Sequence, residues 1–325
     1  MTVPTNTFTR FSAIGVREDL TDEIYNISPV ETPVLTMLPR VTAKNTLHEW
    51  QTDALESAAA NRMIEGDDAT ILTATATVRL NNYCQISAKA ISVSGTLQAA
   101  TSAGRKEELA YQLTKRSKEL KRDMEYAITR NQASSAGSAS VARSLASMES
   151  WIATNKTSVG TGTAQTTPGF SGGTVVAPTD STVTGSINES ALKAVLNAAW
   201  TAGGNPRKLI VGAGTKQKLS GFAGIATQYR SNSGSGQATI LAAADTYISD
   251  FGEVMIVPDR FSRDVTLLGL DPDYWAVAYY RPMQTFEVAK TGDAEKREML
   301  CEWTLESRNE KASFKVADID RKSVV

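Results

Sequence analysis

One long amphipathic helix is the dominant pattern in this sequence. Between residues 103 and 131 the apolar positions are separated by four, seven, four and four residues, which places them on one helical stripe. No proline interrupts the stretch, and Ser102 is a suitable N-cap residue. At 1.5 Å per residue, ~29 residues span roughly 43 Å, which is longer than most helices of a compact domain. The stripe consists of Leu109, Leu113, Leu120, Met124 and Ile128.

The first 40 residues lack the pattern of a domain core. Their four prolines exclude one long helix, because proline removes a backbone donor and restricts the residue before it. Only residues 17–27 show short helical periodicity, and so short a segment has too few apolar neighbours to be stable alone. We expect residues 1–40 to be an arm that docks elsewhere.

Residues 41–95 have a β-like pattern around an acidic turn at residues 65–69. Cys84, Ile86, Ala88 and Ala90 alternate with polar residues, which is the period of two expected of a strand with one covered face. We predict a long β-hairpin loop. Because two strands alone are marginal in water, the covering face should come from another part of the chain or another subunit.

The remaining sequence predicts mixed α and β structure. Residues 141–152 show short helical periodicity inside a Ser-, Thr- and Gly-rich segment, and the capping-box spacing of Ser186 and Glu189 predicts a further helix start. Short strands and turns follow up to residue 275. From residue 276 onward the pattern is a meander, with one face predicted to be buried and the other charged. The expected fold class is α+β.

Composition excludes several classes of protein. Thirty-four Lys and Arg against 35 Asp and Glu leave a formal charge of −1, so no strong overall field attracts phosphate-rich partners. The longest strongly apolar stretch, residues 274–280, is far shorter than the roughly 20 residues of a membrane-spanning helix. The first ten residues lack the pattern of a secretory signal, so we expect the chain to stay in the cytoplasm in which it is made.

The sequence contains few residues that are spaced to bind a metal ion or to act as a reactive thiol. Cys84 and Cys301 belong to no Cys-x-x-Cys pair, and we interpret them as reduced, partly buried core residues. His48 is the only histidine, which excludes multi-histidine metal sites, and we expect it to be an ordinary strand residue. Glu65, Asp67 and Asp68 lack the spacing of a calcium loop, so a solvated loop tip is the favoured interpretation.

A strand that runs into Gly212-Ala213-Gly214 is the segment most similar to a nucleotide site. Gln217 stands where a third glycine belongs in G-x-G-x-x-G, so we favour a tight strand-to-helix turn and keep a nucleotide-binding α/β enzyme as the minor alternative. Residues 115–122 are rich in lysine and arginine, but acidic residues alternate with them, which favours a solvated helix face over a nucleic-acid surface. The sequence predicts no enzyme and no cofactor.

Five segments, in consistent order over nearly the whole chain, carry a family resemblance. They are REDLTDEIYNISPVETPVLTML, NTLHEWQTD, EGDDA, GRKEELAYQLTKRSKELKRDMEYAITRNQA and ISDFGEVMIVPDRF. Together they resemble the major capsid proteins of tailed bacteriophages. That resemblance implies the Hong Kong 97-type shell fold: an N-terminal arm (1–40), an extended loop (41–95), a peripheral domain (96–187) with a spine helix near 103–131, an axial domain (188–275), and peripheral strands with the C-terminus (276–325).

The implied function is self-assembly into hexamers and pentamers of an icosahedral shell that encloses a double-stranded DNA genome. The virion is the implied location, with assembly in the cytoplasm of the host bacterium. Head-to-tail contacts between identical subunits close into rings. An arm that cannot bury its apolar residues on its own chain can bury them on an adjacent subunit. We predict four side chains as inter-subunit contacts, namely Phe8, Ile24, Tyr25 and Trp50.

Other expected partners follow from the same resemblance. The arm before the loop is short, so we predict a separate scaffolding protein, together with a portal and decoration proteins. Near-neutral charge predicts only weak contact with packaged DNA, and no membrane is expected. An encapsulin-like shell, which would house enzymes and not a genome, is the alternative that shares the fold; the identity of the cargo would discriminate the two.

Overall fold

The computed structural model describes residues 28–68, 73–100, 107–222 and 245–320. Mixed helices and sheets confirm the predicted α+β class. The helices are α1 (Pro33–Met37), α2 (Gly95–Ala99), α3 (Glu108–Thr129), α4 (Met148–Trp151), α5 (Glu189–Thr201) and α6 (Ala213–Ser220). The strands are β1 (Arg40–Thr42), β2 (Leu47–Thr52), β3 (Val78–Tyr83), β4 (Gln85–Ser94), β5 (Lys156–Ser158), β6 (Gly169–Ser171), β7 (Thr174–Val176), β8 (Lys208–Val211), β9 (Thr246–Ser249), β10 (Gly252–Pro258), β11 (Leu267–Leu270), β12 (Trp275–Val288), β13 (Ala294–Ser307) and β14 (Phe314–Ala317).

Two sheets form the body of the molecule. The first has the strand order β1-β12-β13-β4, and the second has the order β5-β14-β11-β8-β10-β9. The hairpin β2–β3 and the small pair β6–β7 stand apart from both sheets. The closing strand β14 pairs with β11 and β5 in the second sheet, so the C-terminal part of the chain contributes to both sheets.

The long helix α3 packs its apolar stripe into the core. Leu120, Met124 and Ile128 are buried together with side chains of the first sheet. The helix begins at Glu108, with Glu107 as an extended N-cap residue, and the predicted cap Ser102 lies outside the described residues. At 1.5 Å per residue its length is roughly 33 Å, shorter than the sequence pattern suggested. The stripe predicts the buried face correctly because burial follows the helical period.

Two helix predictions in the second half of the chain need correction. The predicted helix at residues 141–152 is only the single turn Met148–Trp151. The helix α5 is capped by Asn188, whose side chain accepts from the backbone N–H of Ala191 at 2.7 Å, and not by Ser186. Asn188 precedes the first helical residue directly and is an equally good cap chemically.

The end of the predicted arm belongs to the chain's own core. Val34 and Leu35 of α1 are buried against α3, and β1 pairs in parallel with β12. Glu125 on α3 accepts hydrogen bonds at 2.7 Å from the backbone N–H groups of both Val34 and Leu35. The arm assigned to residues 1–40 therefore packs on the body of its own chain from Pro33 onward, because α1 finds its apolar and polar partners there.

Strand β13 buries both of its faces from Cys301 to Ser307. Glu302 and Thr304 lie on the face that the alternation predicts to be charged, and both are almost completely buried. Glu302 accepts from Arg143 and, at 2.8 Å, from Nε of Arg281. The carboxylate can be buried because both cations compensate for its lost hydration. The charged face is thus buried as well over this part of β13, because residues far away in the sequence cover it.

A buried ionic cluster links α4 to the second sheet. The carboxylate of Glu149 accepts from Arg263 at 2.9 and 3.0 Å, and Nζ of Lys315 donates to the backbone oxygen of Glu149 at 2.9 Å. Burial lowers the pKa of Lys315 to about 7. Because every charge in the cluster is paired or hydrogen-bonded, it fixes the geometry between α4 and β14.

We expect Glu125→Gln to change the pH dependence of stability. Burial raises the pKa of Glu125 from 4.5 to about 7. A raised pKa in the folded state gives stability that is complete below about pH 4.5 and is lost as the pH rises through about 7. Between pH 5 and 8 the wild-type chain should therefore lose up to about 3 kcal/mol more unfolding free energy than the variant. Urea unfolding of the unassembled chain at both pH values measures this difference.

The matched control is Glu119→Gln, which lies on the same helix in an ion pair with Arg116 and leaves Glu125 intact. It should keep the wild-type pH slope. Equal slopes in the wild-type chain and in Glu125→Gln would contradict the assignment.

Candidate assembly surfaces

The hairpin β2–β3 is fixed to its own chain at the base. Nε1 of Trp50 donates to the backbone oxygen of Ser307 at 2.8 Å, and Nε2 of His48 lies 2.8 Å from Oε2 of Glu306. Asn82 on β3 is fully buried and donates to the backbone oxygen of Leu305 at 2.8 Å. His48 is thus the ordinary strand residue that the sequence predicted. These bonds set the direction in which the hairpin leaves the body.

Trp50 has an intrachain role that the sequence did not reveal. Its ring lies 5.5 Å from that of Trp151, which in turn stacks on Phe170 at 5.8 Å. The side chain is partly buried and packs against the core between α3 and the first sheet. Contact with a neighbouring subunit stays a prediction for Trp50. The other three predicted contact residues, Phe8, Ile24 and Tyr25, lie outside the described residues.

The tip of the hairpin loop projects from the body without cover. All described residues from Asp53 to Thr77 are exposed. Leu55 is 100% exposed, Ile64 is 80% exposed and Met63 is 60% exposed. Several apolar side chains exposed on one projecting loop are typical of a surface that another protein covers.

The acidic end of this loop is an exposed turn. Among the described residues no group of three or more His, Cys, Asp or Glu side chains is placed to hold an ion. Gly66 makes the turn with a φ of +86°, a conformation that glycine adopts without strain. The acidic residues Glu65, Asp67 and Asp68 therefore form an exposed turn at the tip.

A second apolar surface lies at the β9 edge of the second sheet. Trp200 of α5 stacks on Phe251 with ring centroids 5.2 Å apart, and Trp200 is 56% exposed. Ile248 on the edge strand is 81% exposed. Among the described residues β9 is the last strand of its sheet, so this surface combines apolar side chains with a sheet edge.

The Gly212 turn is closed by the chain itself. The side chain of Asp264 accepts from the backbone N–H of Gly214 at 3.1 Å, and Oδ1 of Asp264 lies 2.1 Å from the position that a Cβ atom on Gly212 would take. A carboxylate therefore occupies the helix start at which a phosphate would have to bind. The glycine serves close packing, and the geometry disfavours the nucleotide-binding alternative.

The two cysteines are free and buried. Burial raises the pKa of Cys84 to about 11 and that of Cys301 to about 12. Such thiols stay protonated at neutral pH and are poor nucleophiles. In the part of the chain that the structure describes, no helix is long and apolar enough to span a bilayer.

The chain matches a known protein family over almost its whole length. The sequence model of the SU10 major capsid protein family matches residues 3–320. The chain belongs to the SU10 major capsid protein family. It is a family of structural, non-enzymatic proteins, which agrees with the predicted lack of catalysis and confirms the resemblance to phage major capsid proteins.

Individual relatives support the family and the fold. The major capsid protein of Escherichia phage Phieco32 is 35% identical over 127 residues, which are 39% of this chain and 36% of that protein, so the match spans only about a third of the relative's length. The capsid asymmetric unit of cyanophage A-1(L) superposes with a TM-score of 0.69 at 14% identity, covering 96% of this chain and 99% of the other. The Hong Kong 97-type fold is thereby confirmed.

The encapsulin alternative shares this fold but not the family. The SrpI encapsulin of Synechococcus elongatus PCC 7942 superposes with a TM-score of 0.56 at 9% identity, covering 95% of this chain and 94% of that chain. Because structural likeness at such low identity reflects the fold alone, it does not favour either kind of shell. The family match favours the capsid protein.

We expect Trp50→Phe to destabilise the unassembled chain. Phenylalanine keeps most of the ring contact with Trp151 but leaves the carbonyl of Ser307 without its donor, which should cost about 1 kcal/mol of unfolding free energy. Chemical denaturation of the dispersed chain measures the change. Trp200→Phe, in which the replaced ring is exposed on another surface, is the control and should change stability by less than about 0.5 kcal/mol. If Trp50 acted only at a subunit contact, Trp50→Phe would leave this stability unchanged.

Proposed function

We propose that this chain is the shell-forming subunit of a tailed bacteriophage. Copies of it assemble as hexamers and pentamers into an icosahedral capsid that encloses double-stranded DNA. The observation that carries this proposal is the hairpin loop, whose base is bonded to its own chain while its apolar tip is uncovered. Membership of a major capsid protein family supports both assembly from identical copies and location in the virion.

The hairpin geometry suits a head-to-tail contact. A rigid base and a projecting tip allow one copy to contact a different surface of the next, and repetition of such a contact closes a ring. Full burial of a Leu or Ile side chain contributes roughly 1.5–3 kcal/mol. Burial of Leu55, Met63 and Ile64 by a neighbour would therefore contribute several kcal/mol for each subunit of a ring.

The division into domains is part of this proposal. We assign the hairpin to an extended loop (41–95) and α3 to the spine of a peripheral domain. The segment with α5, α6 and the β9 edge is assigned to an axial domain (188–275). The exposed surface with Trp200 and Ile248 would then face other subunits near the capsomer centre.

Further partners follow from the role of a capsid subunit. We propose a separate scaffolding protein and a portal, assembly in the cytoplasm of the host bacterium, and decoration proteins on the outer surface. The formal charge of −1 supports weak contact with the packaged DNA, because few cations are available in excess to displace counterions from phosphates.

The double substitution Leu55→Asp, Ile64→Asp tests the proposed contact. Both side chains are exposed in the isolated chain, so its melting temperature should stay within a few degrees of the wild-type value. Shell formation should be lost, because two carboxylates would have to be buried in the contact. Electron microscopy after co-expression with the other head proteins of the phage counts closed particles.

A matched control adds the same charge without removing apolar side chains. Ser57→Asp, Asn61→Asp lies on the same exposed stretch and should keep at least a large part of the particles. Normal numbers of closed shells from the Leu55, Ile64 variant would show that the tip is not an assembly contact.

A further inference from the structure

A groove of about 200 Å³ runs along the outer side of α3. One wall is formed by Ser28 and Val30, the first described residues of the chain. The other wall is the face of α3 that carries Tyr111, Lys115 and Lys118. The groove thus lies at the place where residues 1–27 enter the described structure.

The cations of this groove lack compensating carboxylates. Lys115 and Lys118 are exposed and form no ion pair within the described ranges. Arg122 completes the wall, and its guanidinium lies 5.8 Å from the ring centroid of Phe261. The Nε atom of Arg122 is buried without a hydrogen-bond partner among the described residues. An acidic ligand would satisfy all three cations.

The carboxylates near the groove are already engaged elsewhere. Glu119 is paired with Arg116, and Asp123 is paired with Lys89 at 2.7 Å. Glu125 points to the other side of α3, where it binds the backbone of α1. The groove therefore has a net positive charge, although the chain as a whole is almost neutral.

The segment that leads into the groove has the opposite charge. Residues 17–27 contain four carboxylates and one arginine. With a helical rotation of ~100° per residue, the four carboxylates share one face and the three apolar residues share the opposite face. The acidic face consists of Glu18, Asp19, Asp22 and Glu23, and the apolar face consists of Leu20, Ile24 and Ile27.

We propose that the acidic face of residues 17–27 binds this groove of its own chain, on Lys115, Lys118 and Arg122. The cations recur at intervals of three and four residues, as the carboxylates do, so helical stripes of both signs can lie side by side. Residue 27 directly precedes the groove wall, so the tethered segment has an effective concentration in the millimolar range, which disfavours the same segment of another copy.

This inference goes beyond the proposed function. Docking in this way would turn Leu20 and Ile24 away from α3. In a shell these two side chains would then face a neighbouring subunit, and only this second consequence rests on the proposed function. The arm would then be positioned by charge on its own chain before assembly begins.

Carbodiimide coupling of the full-length, dispersed chain tests the proposal. The reagent joins a carboxylate to an amine only when the two are in contact. An equal mixture of unlabelled and ¹⁵N-labelled chains is coupled, digested and analysed by mass spectrometry. We expect adducts between residues 18–23 and Lys115 or Lys118 in which both peptides carry the same isotope. The yield should fall at least about threefold in Arg122→Gln, which removes the third cation of the groove and keeps both reacting amines.

Lys121→Gln is the matched control, because Lys121 is an exposed lysine on α3 that lines a different groove. It should leave the yield unchanged. Absence of the adducts would overturn the proposal. Adducts of mixed isotope at statistical frequency would also overturn it, because they would show that another copy supplies the segment. Salt-sensitive DNA binding that depends on Lys115 and Lys118, without adducts, would equally overturn it. The measurement uses unassembled chains, so its failure is independent of shell formation.

Discussion

The exposed apolar tip of the hairpin loop is the constraint on which the account of this protein depends. Leu55 and Ile64 lie on a stretch whose described residues are all exposed, so the hydrophobic effect favours their burial by something outside the chain. The base of the same hairpin is held by directed hydrogen bonds from Trp50 and Asn82. A fixed base gives the tip a defined position relative to the body, and a defined position is what a repeated contact between identical subunits requires.

The body provides that rigidity through buried charges as well as apolar packing. Glu302 is held by two arginines, and Glu149 is held by Arg263 in the cluster that includes Lys315. Loss of one partner from such a site would leave an uncompensated buried charge, which is strongly destabilising. These clusters connect segments that are distant in sequence, so they hold the first sheet, α4 and the second sheet in one arrangement.

Sequence reasoning succeeded where the signal is local and failed where the partner is distant. The stripe with Leu120 and Met124 predicted the buried face of α3, because helical burial has a period that the sequence shows directly. The burial of Glu302 could not be predicted, since its partner Arg143 lies 159 residues away in the sequence. The role of Gly212 likewise depends on Asp264, which no motif identifies.

The base of the arm illustrates the same limit, because α1 joins the core through the carboxylate of Glu125, about 90 residues away. The central claim, that neighbouring copies cover the hairpin tip, is tested most directly by a high-resolution cryo-electron microscopy map of the assembled shell. We expect Leu55 and Ile64 to be buried against an adjacent subunit in every hexamer. A shell in which both side chains remain in solvent, or fold back onto their own body, would contradict it.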